Sequence, residues 1–251
     1  MAQHREDPAV TEARIREALR NAQQRGKPGF VGFLDLQEAA RARTLALHAP
    51  AASGFWGGYA DAQRVIFGAF PDYLEPDPMY YPVTALEATL RRSVVPEHRA
   101  VLGSLMALGI ERDTVGDLLT EAGRAVIFVR SELAQHIVQQ LTRIGGEGVS
   151  VRIVEDPVLP PPKPLIPVTS TIASPRADCI VAVLAGCGRT AAAEMLTRGA
   201  VSCNGEICTA VAGEIEPGDI LSIRGTGKFR IESIGPQTKK GRLSFRAGKY
   251  Q

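Results

Sequence analysis

The stretch from Asp156 to Pro167 holds six of the chain's 17 prolines, and neither a helix nor a central strand can run through it. Each proline lacks a backbone N–H and fixes its φ near −65°. The segment therefore favours extended polyproline geometry and acts as a semi-rigid spacer. It is the best domain boundary in the sequence. Residues 157–173 are expected to form a linker, 174–251 a C-terminal domain, 1–76 a small helical N-terminal domain and 77–156 a middle domain. Use of the prolines as a ligand for a partner is the alternative.

Charge is distributed unevenly about that boundary. Residues 224–251 contain eight bases, Arg224, Lys228, Arg230, Lys239, Lys240, Arg242, Arg246 and Lys249, against Glu232 as the one acid, a net of +7. The remainder carries 21 bases and 26 acids, so the whole-chain net of +2 conceals a basic end on a mildly acidic body. The bases alternate with the strand-formers Phe229, Ile231, Ile234, Leu243, Phe245 and Tyr250, which places them on a folded sheet surface. Such a surface is the electrostatic footprint of polyanion binding; the alternative is a solvated charged face that binds nothing specific.

With 45% hydrophobic and 22% charged residues, the composition is that of a globular protein. No apolar run approaches the roughly 20 residues needed to span a bilayer, and residues 1–8 show no signal-peptide core, so a cytoplasmic location is expected. The cysteines at 179, 187, 203 and 208 are spaced by eight, sixteen and five, and the histidines at 4, 48, 98 and 136 all lie outside that third. This is not zinc-site spacing. Reduced, partly buried thiols are expected, with no metal and no cofactor.

Along the chain, residues 7–25 pattern as a helix stopped by the 26–29 turn, and Asp35 caps a second helix running to His48. Residues 65–70 form a buried apolar strand. Trp56 and Tyr59, beside two glycines, either fill a core or stack on a base. From 83 to 155 the order reads β-α-β-β-α-β, with strands at 83–91, 115–120, 125–130 and 149–155, and helices at 97–108 and from a Ser131 cap to Ile144. That is the ferredoxin-like arrangement used by RNA-recognition modules. Such modules stack bases on paired aromatics, whereas Phe128 is the only aromatic in this hairpin. A charge-and-shape surface or a protein contact is an equal alternative. After the linker, Ser174 and Pro175 open a helix carrying Ala177, Ile180, Val181 and Leu184, and a second helix from 188 or 189 buries Ala192, Met195 and Leu196. Asn204-Gly205 marks a tight hairpin and residues 216–219 another turn. The fold class expected is α+β.

The helix-turn-helix and small sheet resemble the S4 RNA-binding domain. The match runs through Arg176-Ala-Asp178, residues 188–196 from Gly188-Arg189, residues 199–205 and Pro217-Gly-Asp219-Ile. The extension from Arg224 to Tyr250 resembles the C-terminal signature of YlmH-like S4 proteins, which include photosystem II S4-domain proteins. Gly57-Gly58-Tyr59, Pro71-Asp72-Tyr73, the 98–112 block and Gly116-Asp117 agree with that family. The resemblance covers nearly the whole chain from about Gly32.

What the resemblance implies is non-enzymatic binding of structured RNA, rRNA or tRNA, in association with the large ribosomal subunit and translation quality control. An alternative is assembly of photosystem II or of ribosomes through protein contacts. Position by position it points to Arg176, Arg189 and Arg198 on the two helices and Lys228 and Arg230 on the adjacent strand as RNA ligands; Arg224, Lys239, Lys240, Arg242, Arg246 and Lys249 join them by charge. Ala191 and Thr197 stand where such domains are often basic, and Gly188 replaces the usual Ser cap, which shifts the task toward the strands.

An RNA-modifying enzyme is the remaining class. Arg176-Ala-Asp178 opens a helix rather than lying in a synthase domain, and Gly225-Thr-Gly227 has no following helix to bind a nucleotide cofactor. No nucleophile elbow, P-loop or H-E-x-x-H is present. No catalytic residue and no small-molecule substrate are expected.

Overall fold

A computed structural model describes residues 8–162, 164–237 and 241–250. They form two compact units, residues 1–161 and 162–251, and the mixed helix and sheet content is that of the expected α+β class.

In the first unit, α1 (Pro8–Arg25) buries Ile15, Ala18, Leu19 and Ala22. It stops at Gly26, whose φ of +60° few side chains tolerate. It lies so close to β1 (Gly29–Leu34) that a Cβ on Gly29 would meet that of Ala18 at 2.9 Å. Asp35 caps α2 (Leu36–Ala46) as expected, accepting from the N–H groups of Gln37 and Glu38 while Glu38 accepts from Asp35 N–H in return. Strands β2 (Ala52–Trp56) and β3 (Val65–Phe70) complete a sheet of order β1-β3-β2. Sequence reasoning finds β3 but assigns no strand at β1 or β2, so that what it expects to be a small helical segment holds a three-stranded sheet. Both missed strands carry glycines that dilute the strand pattern, and both exist by pairing with the apolar β3 between them.

The middle segment follows the expected order. It comprises β4 (Val83–Leu90), α3 (His98–Met106), β5 (Val115–Glu121), β6 (Arg124–Arg130), α4 (Ser131–Gln140), β7 (Arg143–Ile144) and β8 (Glu147–Val154). The sheet order is β5-β6-β4-β8-β7, antiparallel throughout. Two local expectations fail. Ser131 does not cap α4: its N–H donates to Pro82 O and its Oγ takes a bond from Thr84 Oγ1, while Arg130 holds the cap position. The helix also ends at Gln140, because Ile144 leaves it for the β7–β8 hairpin that turns on Gly145-Gly146. Helices α3 and α4 cover one sheet face, with Leu86, Ile127, Val101, Leu105 and Ile137 packed together. The other face is partly covered by the first sheet, through Phe33, Ile66 and Phe70, which with Tyr81 pack against Ala85, Val126 and Phe128.

The second unit consists of β9 (Ile166–Ile172), α5 (Ala177–Ala185), α6 (Arg189–Thr197), β10 (Val201–Cys203), β11 (Glu206–Ile207), β12 (Ile220–Ile223), β13 (Gly227–Gln237) and β14 (Leu243–Lys249). Its six strands run in the order β11-β10-β12-β13-β14-β9. Seven residues of the segment expected as linker are therefore β9. Pro167 sits in it because β9 is an edge strand, where a missing N–H costs no ladder bond. Ser174 and Pro175 do not open α5; Arg176 is its cap residue, bridged to Glu214. The Asn204-Gly205 turn has the expected positive φ values, 49° and 91°. Helices α5 and α6 meet at 108° and are apolar because Ile180, Val181, Leu184 and Leu196 fill a core with Leu221, Ile223, Phe229, Ile231 and Phe245. Among the described residues no single helix is long and apolar enough to cross a membrane.

Candidate nucleic-acid interface

Strand alternation decides where the C-terminal cations go. Leu221, Ile223, Phe229, Ile231, Phe245 and Ala247 point into the core, so their neighbours take the outer face. Lys228 pairs with Ser222, and Arg230 with Ile220 and Gly248. An irregularity between Ile231 and Ser233 brings Ser233 opposite Arg246, which also pairs with Thr169 on β9. Lys228, Arg230 and Arg246 thus share one face, across which Lys228 Nζ lies 5.0 Å from the Tyr250 ring centroid. Arg230 and Arg246 are exposed and make no ion pair among the described residues.

The other predicted cations divide. Lys249 pairs with Phe229 and sets its Nζ 5.6 Å from that ring, on the core-side face, so the basic residues of 224–249 do not form one surface. Arg242 is pinned to the sheet edge, donating from Nε to Thr171 Oγ1 at 3.0 Å and from Nη2 to Thr171 O at 2.7 Å. Arg224 is exposed just past β12, where its N–H bonds Ala200 O, and Arg198 ends α6. Lys239 and Lys240 lie outside the described residues.

The helical half of the site is built on Asp178, which sequence reasoning quotes only as part of a motif. Its carboxylate is buried. It accepts from Arg176 Nε at 3.1 Å, Arg176 Nη2 at 3.3 Å and Arg189 Nη2 at 2.6 Å. Burial alone would raise its pKa, but the hydrogen bonds from Arg176 and Arg189 overcome that and hold it down to about 2. One buried anion thus orients two arginines whose side chains stay 40% and 59% exposed. The cluster carries a net positive charge with guanidinium donors left over for phosphate. Gly188 caps α6 without a side-chain bond, as the sequence suggests.

The motifs of the first unit have structural duties. Asp117, 9% exposed, accepts from Tyr59 Oη at 2.8 Å, Gln63 N at 2.6 Å and Arg64 N at 3.2 Å. Burial, with Asp117 beside it, pushes the Tyr59 hydroxyl far above its ordinary value. The Tyr59 ring stacks on Phe128 at 5.1 Å, and a Cβ on Gly58 would strike that ring at 2.3 Å. Tyr59 therefore fills a core, and Phe128, 1% exposed, is sealed against any base. Arg64 spans the same junction, donating to Val115 O and Phe33 O. On the uncovered part of the sheet, Glu87 accepts from Arg124 Nη1 at 2.8 Å and from Arg152 Nε and Nη2 at 3.0 and 2.6 Å. Neither Glu87 nor its partners carry a sequence signal beyond lying on neighbouring strands.

Two of the thiols, Cys203 and Cys208, are held in the protonated form. Burial, then Asp219, pushes Cys203 up to about 12, and burial raises Cys208. All four cysteines are free.

The second unit thus carries cations on its outer sheet face and two oriented arginines on its helix pair, and it is joined in sequence to a ferredoxin-like segment whose Phe128 is sealed. Residues 90–158 match the family model described as a putative RNA-binding domain in YlmH. Over 226 residues the chain is 27% identical to "Ribosome-associated protein quality control protein P2" of Bacillus subtilis (strain 168), spanning 89% of this chain and 88% of that protein. A solved structure, "Cell division protein ylmH from Streptococcus pneumoniae", superposes with a TM-score of 0.52 at 21% identity, over 61% of this chain and 95% of that one; it shows the shared fold. The resemblance to YlmH-like proteins is borne out.

Proposed function

We propose that this chain is a non-enzymatic, ribosome-associated RNA-binding protein of the cytoplasm, and that it engages structured rRNA or tRNA on the large subunit in translation quality control. The observation that carries this reading is that buried Asp178 holds Arg176 and Arg189 outward on an S4-type helix pair, while Lys228, Arg230 and Arg246 gather on the outer face of the same unit's sheet. The strand cations supply affinity that tolerates sequence, by releasing counterions from phosphates, and Arg176 and Arg189 fix register through bidentate contacts. The YlmH-type domain match and the ribosome-associated relative support the same partner class. In this reading residues 1–76 and 77–156 offer a second contact surface, and the proline-rich segment sets its reach.

The test is co-sedimentation with large ribosomal subunits across a salt series. If about four cations touch phosphate, log affinity falls with log salt at a slope of about −3. Replacing Lys228, Arg230 and Arg246 together by Ala is expected to flatten the slope by about 2 and release the protein at physiological salt. Lys249→Ala, on the opposite face, is expected to change it by less than about 0.5. Unaltered sedimentation of the triple variant overturns the assignment.

A further inference from the structure

Arg189 and Arg242 come from opposite ends of the second unit's sequence, yet they line one cavity of about 290 Å³. Its other walls include Cys179, Ala182 and Val183 of α5 and Cys187 of the α5–α6 turn. Each guanidinium is already fixed by one edge. Arg189 gives Nη2 to Asp178, and Arg242 gives Nε and Nη2 to Thr171. An arginine has five N–H donors, so both heads keep donors for a further acceptor and lose little entropy in using them. Two such forks beside one hollow suit an anion with several oxygens. The alanine, valine and thiol surface between them suits a flat, weakly polar group. A phosphate joined to a base has that combination, and the cavity lies at the small end of ligand sites, the size of one ring system rather than a large ligand.

We infer that this cavity receives a single unstacked nucleotide of the bound RNA, its phosphate between Arg189 and Arg242 and its base against Ala182 and Val183. The inference rests on the RNA-binding reading above and deepens it: the outer sheet face reads only backbone charge, whereas this cavity makes the protein select RNA with an unpaired residue. Proteins that accept an extruded base favour nucleotides that are unpaired beforehand, since the unstacking cost is then least. It also gives Cys187, which is only partly buried, a readout, because a seated base shields its thiol from solvent.

The test uses the full chain and two RNA hairpins with the same stem, one fully paired and one carrying a single 2-aminopurine bulge. The bulged hairpin is expected to bind about tenfold tighter, with a rise in 2-aminopurine fluorescence as the base leaves its stacked neighbours, and with slower alkylation of Cys187. Filling the cavity by Ala182→Phe or, on a different element, by Cys187→Trp is expected to abolish both the preference and the fluorescence change, while the paired hairpin binds within twofold of the parent. Adenosine monophosphate at millimolar concentration separates a free nucleotide from an RNA-borne one. If it binds alone and more tightly than the bulged hairpin, the inference is overturned. Equal affinity for the two hairpins, or a preference surviving both filled variants, also overturns it and leaves RNA binding standing. Failure to bind either hairpin removes the broader reading as well. The parent protein's hairpin preference and fluorescence decide the matter even where a filled variant does not fold.

Discussion

The chain uses one device twice, with different results. In the first unit Glu87, on a central strand, binds Arg124 and Arg152; in the second, Asp178, at a helix start, binds Arg176 and Arg189. Both carboxylates are buried, and the hydrogen bonds of their arginines hold both pKa values down. The difference is in the count of charges. Arg124 is shared with Glu121, so two acids meet two bases and the first cluster is neutral, a rivet across four strands. Asp178 stands alone against two bases, and what remains is positive and directed outward. A buried anion can therefore serve as a fastening or as a mount for cations, depending on whether a second acid sits nearby.

The sharpest way to break this comparison is to remove the anions. Asp178→Ala is expected to cost about 3 kcal/mol of stability, because two arginines lose their common acceptor. It should also weaken RNA binding about tenfold through lost orientation; chemical unfolding and filter binding measure the two. Glu87→Ala is expected to cost about 2 kcal/mol, since Arg124 keeps Glu121, and to leave hairpin affinity within twofold. Equal losses of RNA affinity in both variants would erase the distinction.

Acid sharpens it next. Asp178 has a folded pKa of about 2, below its unfolded value near 3.9. Its stabilising contribution is present in full above pH ~4 and is lost as pH falls through about 2. The contribution is about 1–2 kcal/mol, discounted for the exposure of the arginines. Unfolding midpoints of the parent are expected to fall over that window, and those of Asp178→Asn to fall less. The smallest effects come from single arginines. Arg189→Gln is expected to reduce the salt slope by about 0.7, and Arg152→Gln to leave it unchanged.

Much of this architecture is legible in the sequence. The β-α-β-β-α-β order, the Asp35 cap, the Asn-Gly hairpin and the α5–α6 pair follow from periodicity and capping chemistry, which act over a few residues. The Ser131 and Ser174 caps were misplaced, because a serine near a helix start can as easily bond a neighbouring strand, as Ser131 does with Thr84. Strands β1, β2 and β9 are not legible: their glycines and prolines make poor strands alone, and each is held at an edge by its partner, which for β1 and β9 is remote in sequence.

The sequence by itself determined that positive charge would sit on strands after residue 224, and that aromatic stacking on the middle sheet was a poor prospect. Only the tertiary structure decided which cations share a face. A register irregularity on β13 and the pairing of Lys249 with Phe229 settle that, and period-two alternation cannot foresee either. Tertiary contact likewise decided that Tyr59 would cover Phe128 and that Asp178 would hold Arg176 and Arg189 together, because burial of a carboxylate depends on what folds over it.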